Sequence, residues 1–282
     1  MLNHLKISFI GPGVMAEAMI SALIKKELIP AENILASGPD VDRNHYLHEK
    51  HGIQAFWDNK KAAEQADVII LSVKPQQLEK ALDGLNGSIK KDALVLSIVA
   101  GASISKISRL LGHQVIVRAM PNTPAQIGEG ITVWTCSPEV SDKQREITRI
   151  IFNAFGKEIF EEEEDFLDKA TALSGTGPAY VYLFMEAMVD AGVHMGFSRR
   201  VAERLVIETV RGSVDYYDNS SEEIRHLARL RNEVTSPGGT SAEALYYLEK
   251  AGFRTALSRA IWAAYKRSKE LGQDPDSHLP EK

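Results

Sequence analysis

Cysteine is almost missing: Cys136 is the only one in 282 residues. That excludes an intrachain disulfide and any metal centre built from thiolates, and it suits a reducing compartment, so a cytoplasmic protein without a metal is expected. Long apolar runs are missing as well. No stretch approaches the ~20 residues of a membrane span, and the most apolar one, 179–195, carries Glu186 and Asp190. The start, Met1 to Lys6, lacks the basic region, apolar run and small-residue cleavage site of a secretory signal. Positive charge is not in excess either. The net charge is −5 and the isoelectric point about 5.9, so neither nucleic acid nor an anionic membrane is expected as a partner. No internal repeat is visible.

What is present is a core. Hydrophobic residues make up 44% of the chain, and the length fits two domains. The apolar segment 6–10 reads as a buried strand. Gly11-Pro12-Gly13-Val14-Met15-Ala16 follows, then a helical pattern through Met19, Ile20, Leu23 and Ile24. This is the G-x-G-x-x-G/A fingerprint between a strand and a helix, the setting it needs to bind a dinucleotide. Gly11 permits the turn, Gly13 lets a pyrophosphate approach, and the helix N-terminus faces the phosphates.

A second strand, 33–37, ends at Ser37-Gly38-Pro39-Asp40, with Arg43 beyond. A hydroxyl, a glycine and an arginine suit a 2′-phosphate, which points to NADPH, with NADH possible because Asp40 lies close by. Further strands are expected at 53–56, 67–73, 93–99, 114–119, 130–136 and 157–160. Helices are expected at 42–51, 60–65, 76–85 and 143–155. The alternation is that of a doubly wound α/β sheet. Ligands in such sheets lie at the carboxyl ends of the strands, so Val73-Lys74-Pro75 and Val99-Ala100-Gly101 should border the dinucleotide. The acidic run 161–164 should be solvated and open the next helix.

After about residue 162 the strand pattern stops. The expected division is therefore a Rossmann-type domain, 1–162, and an all-helical domain, 163–282. Residues 172–178 should interrupt the chain. The helix 179–195 is apolar on nearly every face and needs burial on all sides, which in a small domain usually takes a second subunit, a central helix within one monomer being the rival reading. Ser198 should cap a helix with Val201, Leu205, Val206 and Val210 inward. Ser220 with Glu223 reads as a capping box, opening a helix with Ile224, Leu227 and Ala228 inward. Pro237-Gly238 reads as a tight turn, and Thr240 with Glu243 as a second capping box. The first N–H groups of the helix that starts there lie beside two glycines and several hydroxyls, a place for a small carboxylate. Helices should span 241–250 and 254–271, with a loose tail at 273–282.

Four motifs resemble those of the pyrroline-5-carboxylate reductases: the opening fingerprint, Val73-Lys74-Pro75, the segment from Leu173 to Tyr180, and the segment from Val234 to Thr240. The resemblance runs from residue 6 to about 270. It implies reduction of 1-pyrroline-5-carboxylate to L-proline by hydride transfer from NADPH to a C=N carbon. It also implies interlocked helical domains in a homodimer or larger assembly. Gly11, Gly13, Val14 and Met15 would hold the pyrophosphate, and Ser37 would lie by the adenosine ribose. Asn59, Val73, Lys74, Pro75, Ala100 and Gly101 would line the rest of the cofactor. The substrate carboxylate would rest on N–H groups of the turn with Ser236, Gly238, Gly239, Thr240 and Ser241. The Ser241 hydroxyl, where the family usually has threonine, would lie near the ring nitrogen as the catalytic group. Two other readings remain open at this point. A 3-hydroxyacid dehydrogenase would need a lysine on the first long helix of the second half, and 179–193 has none. A non-catalytic nucleotide-binding relative would keep the glycines without turnover.

Overall fold

The computed structural model describes residues 2–222 and 225–272. Its contacts form two compact units. Among the described residues, one holds 2–178 with 263–272 and the other holds 179–262.

The first unit is built on short apolar strands. β1 (Ile7–Ile10), β2 (Ile34–Ser37), β4 (Val68–Leu71) and β5 (Leu94–Ser97) are buried at every position, as strands covered on both faces must be. With β3 (Gln54–Phe56), β6 (Ile116–Met120), β7 (Gly130–Cys136) and β8 (Gly156–Phe160) they make one sheet in the order β3-β2-β1-β4-β5-β6-β7-β8. The order reverses between β1 and β4, so the crevice at their carboxyl ends is the expected ligand position. The pairing is parallel except between β6 and β7, which only a short 3₁₀ segment (Thr123–Ile127) joins. A parallel crossover needs a dozen residues or more.

The covering helices α1 (Val14–Lys25), α2 (Val41–His51), α3 (Asn59–Gln65) and α6 (Asp142–Asn153) lie where the periodicity places them. The segment expected as one helix over 76–85 is a 3₁₀ turn (Pro75–Gln77) and a short α4 (Leu78–Leu82). Gly84, with φ 73°, follows its end. One helix was not expected. α5 (Ile104–Leu111) is capped by Ser103, whose side chain accepts from the Lys106 N–H, and it buries Ile107 and Leu111.

The acidic run does open a helix, α7 (Asp165–Ala170). The expected interruption at 172–178 is instead a π-helical stretch, Thr171–Gly175, that leads into α8 (Gly177–His194). Hydroxyls hold it together: Thr176 donates from both its N–H and its Oγ to the Thr171 carbonyl at 2.8 Å. Glu164 is more than a solvated charge. Its carboxylate accepts from the Ile104 N–H, at the start of α5, and from Arg118.

The second unit contains most of α8, then α9 (Arg199–Asn219), α10 (Leu227–Glu233), α11 (Thr240–Lys250) and the first half of α12 (Phe253–Gly272). Its buried core is thin: Val189, Ala202 and Val206, with Met185, Met188, Val193 and Val210 against them. A Cβ on Gly192 would come within 3.0 Å of that of Ala202, so a glycine sets the α8–α9 approach. Val206 faces inward as expected, whereas Val201, Leu205 and Leu227 are exposed in the single chain. Leu183 of α8 is 67% exposed and Tyr182 63%. Ser198 stands at the α9 N-cap without a side-chain cap bond. Glu223, Ile224 and the tail 273–282 lie outside the described residues.

Candidate functional site

At the carboxyl end of β1, Gly11 has φ 90°. It donates to the Ser37 carbonyl at 2.9 Å, and Gly13 N–H closes back on the Gly11 carbonyl at 2.8 Å. A Cβ on Gly11 would meet the Val73 backbone within 3.0 Å. Val73 thus stands against the turn, and only glycine satisfies both the positive φ and the approach. Gly13 is the N-cap of α1 and has open space where a Cβ would be. Gly13 and Val14 are exposed and Met15 half-buried, so the first N–H groups of α1 are offered to an anion.

The tip of β2 is held more tightly than sequence suggested. Asn44 of α2, a residue sequence reasoning did not single out, donates to the Gly38 carbonyl at 2.9 Å and to that of Phe56 at 3.0 Å. It joins the ends of β2 and β3; its one sequence signal is that it shares the inward stripe with Leu47. The Asp40 carboxylate accepts from the Arg43 N–H at 2.9 Å and caps α2. Ser37 is fully buried, and its Oγ has no hydrogen-bond partner; Asn59 Oδ1 is in the same state, while its amide donates to the Ala81 carbonyl. Burial without a partner is costly, and a polar ligand is one way to complete such atoms, a state that Ser8 Oγ, Asn44 Oδ1 and Thr132 Oγ1 share.

Ser72, at the end of β4, donates to the Gly11 carbonyl at 2.9 Å, which joins this strand to the fingerprint. Lys74 beyond it is exposed, with Pro75 opening the 3₁₀ turn. Ala100 and Gly101 follow β5. Gly101 has φ 74°, and a Cβ there would strike the backbone of α12: Gly272 N at 2.8 Å and Ser268 O at 2.9 Å. Its glycine is therefore required by packing, which sequence did not suggest.

In the helical unit, Pro237-Gly238 forms the expected turn. Gly238 has φ 71°, and the Gly239 N–H donates to the Ser236 carbonyl at 3.0 Å. The capping box does not form. Gly239, not Thr240, is the N-cap of α11, with no side-chain cap bond. Thr240 sits one residue too late, already inside the first turn. A Cβ on Gly239 would lie 2.5 Å from Ser236 Oγ, which leaves a small cradle at the helix start. Ser236, Gly238 and Thr240 are exposed, and Gly239 and Ser241 half-buried.

Residues 164–271 match the family model described as pyrroline-5-carboxylate reductase dimerisation, and residues 6–101 the one described as NADP oxidoreductase, coenzyme F420-dependent. A pyrroline-5-carboxylate reductase of Synechocystis is 39% identical over 95% of this chain and 99% of its own. That of Escherichia coli is 36% identical over 95% and 98%. The crystal structure of the Plasmodium falciparum pyrroline carboxylate reductase with NADP bound superposes with a TM-score of 0.87 at 33% identity, covering 96% of this chain and 99% of that one. Both halves of the sequence and the fold as a whole therefore agree: this chain belongs to the pyrroline-5-carboxylate reductase family.

Proposed function

We propose that this chain reduces 1-pyrroline-5-carboxylate to L-proline with NADPH, by hydride transfer to the carbon of the C=N bond. The observation that carries the reading is the match to named reductases over 95% of the chain, which takes in the fingerprint and the 235–241 turn alike.

The residues present fit a dinucleotide: a glycine turn at an exposed helix start, and the buried, unpartnered oxygens of Ser37 and Asn59. Bound there, the cofactor supplies the hydride. Gly11, Gly13, Val14 and Met15 hold the pyrophosphate, Gly11 and Gly13 by shaping the turn with their own N–H groups turned inward and Val14 and Met15 through backbone N–H groups, while Ser37 takes the adenosine ribose, and Asn59, Val73, Lys74, Pro75, Ala100 and Gly101 the remainder. Asp40 Oδ1 is engaged in capping α2; NADPH is the preferred donor and NADH the weaker one.

Substrate binding falls to the turn. N–H groups of Gly238, Thr240 and Ser241 hold the carboxylate at the α11 N-terminus, beside the Ser236 and Thr240 hydroxyls, and Gly239, its own N–H turned to the Ser236 carbonyl, leaves room for it. Ser241 Oγ hydrogen-bonds the ring nitrogen and supports its protonation. A protonated imine is already electrophilic, so positioning provides most of the catalysis and no acid–base dyad is needed. The thin core and exposed apolar face of α8 fit a homodimer formed through the helical units, alone or within a larger assembly. No described helix is long and apolar enough to cross a membrane, and a cytoplasmic location fits the single cysteine.

The test is loss of NADPH absorbance with 1-pyrroline-5-carboxylate, run in parallel with NADH, with proline identified as the product. Turnover that is faster with NADPH is expected. Cofactor binding without turnover overturns the reading.

A further inference from the structure

Arg43 was expected from sequence to suit a 2′-phosphate. In the structure its guanidinium is committed elsewhere. Nε donates to the Pro12 carbonyl at 2.8 Å, and Nη2 donates to the Gly13 carbonyl at 3.2 Å and to Glu17 Oε2 at 2.6 Å. Both bidentate edges of a guanidinium, the side edge through Nε and the end edge through the two Nη atoms, use Nη2. Its two N–H groups are already placed, so neither edge is free for a phosphate.

We infer that Arg43 is a positioning residue for the phosphate-binding turn, acting on the pyrophosphate and therefore on NADPH and NADH alike, not a reader of the 2′-phosphate. This rests on the reading of the turn as a dinucleotide site. In a planar trans peptide the C=O and the following N–H point in opposite directions. Drawing the Gly13 carbonyl towards Arg43 aims the Val14 N–H, one of the first donors of α1, away from it. Drawing the Pro12 carbonyl to the same group aims the Gly13 N–H at the Gly11 carbonyl, where it bonds at 2.8 Å. Two successive peptides of the turn are thus braced by one side chain thirty residues on, the Gly13 carbonyl also accepting from the Glu17 N–H at 3.0 Å as the first bond of α1.

Arg43 is itself held. Glu17, in the first turn of α1, accepts from Arg43, from Lys50 at 2.8 Å and from the Tyr46 hydroxyl at 3.1 Å, with His51 at 3.5 Å. The guanidinium also lies 5.1 Å from the centre of the Tyr46 ring. Lysine cannot replace arginine here, because a single ammonium does not span two carbonyls and a carboxylate in a fixed plane.

The test compares wild type with Arg43→Lys and Arg43→Ala. Dissociation constants for NADPH and NADH are measured by calorimetry, together with kcat, and hydrogen exchange of residues 11–16 is followed without cofactor. Both constants should rise by about tenfold, roughly 1.4 kcal/mol, with their ratio and kcat unchanged, and exchange in the turn should accelerate. Loss confined to NADPH, restored by Arg43→Lys, overturns the inference; so do constants and exchange rates that do not move. Should the wild type bind neither nucleotide, the functional reading fails, and the exchange data alone still decide whether Arg43 positions the turn.

Discussion

Gly11 donates its N–H to the carbonyl of Ser37 at 2.9 Å. The turn after β1 and the tip of β2 are one unit, so a change in either reaches the other. Gly11→Ala puts a side chain at φ 90° and against the Val73 backbone. The left-handed conformation alone costs about 1–2 kcal/mol. NADPH affinity should fall by more than the tenfold that 1.4 kcal/mol represents, measured by calorimetry on protein whose circular dichroism is unchanged.

Gly101→Ala separates packing from cofactor contact. The methyl meets the α12 backbone, which cannot swing aside, so overpacking of about 1–3 kcal/mol is expected. The cofactor-free protein should melt lower by several degrees, at about 2–4 °C per kcal/mol for a chain of this order. An unchanged melting temperature would show that α12 yields.

Arg118 is a third point. It lies buried on β6, bonded to Glu164 at 2.9 Å and to Asp168 at 3.0 Å, and Asp168 also accepts from Ser268 of α12 at 2.7 Å. Arg118→Ala leaves two carboxylates facing each other without their cation. A loss of about 3–5 kcal/mol in urea unfolding is expected. Asp168→Asn keeps an acceptor for both donors and should cost distinctly less.

Acid stability should report Glu17. Burial alone would raise its carboxyl, but Lys50, Arg43 and His51 outweigh that and hold it down at about 2, from an ordinary 4.5. A depressed carboxyl stabilises the fold above its unfolded pKa, and that stability is lost as pH falls from about 4.5 towards 2. Asp165, held down to about 2 by Lys169, Lys269 and Tyr265, adds to the same window. Glu17→Gln should therefore be less stable than wild type at neutral pH, and its melting temperature should fall less steeply between pH 5 and pH 3, as followed by thermal melts at the two limits (about the range where carboxyls titrate).

Local signals carried most of the sheet into view. The runs at 7–10, 68–71 and 94–97 are apolar because both faces are covered, and the Gly11–Ala16 turn announces itself by spacing. Features that depend on distant chain did not show. Gly101 is glycine because α12 arrives from more than 150 residues away. Arg43 reads as a phosphate-binding residue until Glu17 and the Pro12 carbonyl are placed beside it. The helix Ile104–Leu111 is too short for its two buried residues to stand out as a period. Thr240 and Glu243 have capping-box spacing, yet Pro237-Gly238 starts the helix one residue earlier. The apolar faces of α8 were legible, yet the single chain leaves Tyr182 and Leu183 exposed.

In the candidate site the half-buried Ser241 carries the most specific claim. Ser241→Ala should lower kcat by tenfold or more, about 1.4 kcal/mol of transition-state stabilisation, with NADPH affinity intact. Ser241→Thr should keep activity, because the hydroxyl remains.

The most direct measurement is isotopic. NADPH carrying deuterium at the transferable position of the nicotinamide is given to the enzyme with 1-pyrroline-5-carboxylate, and the product is analysed by mass spectrometry and NMR. Hydride transfer to the C=N carbon predicts L-proline with deuterium on the ring carbon that was doubly bonded to nitrogen. Unlabelled proline, or oxidation of NADPH with no proline formed, would contradict the account.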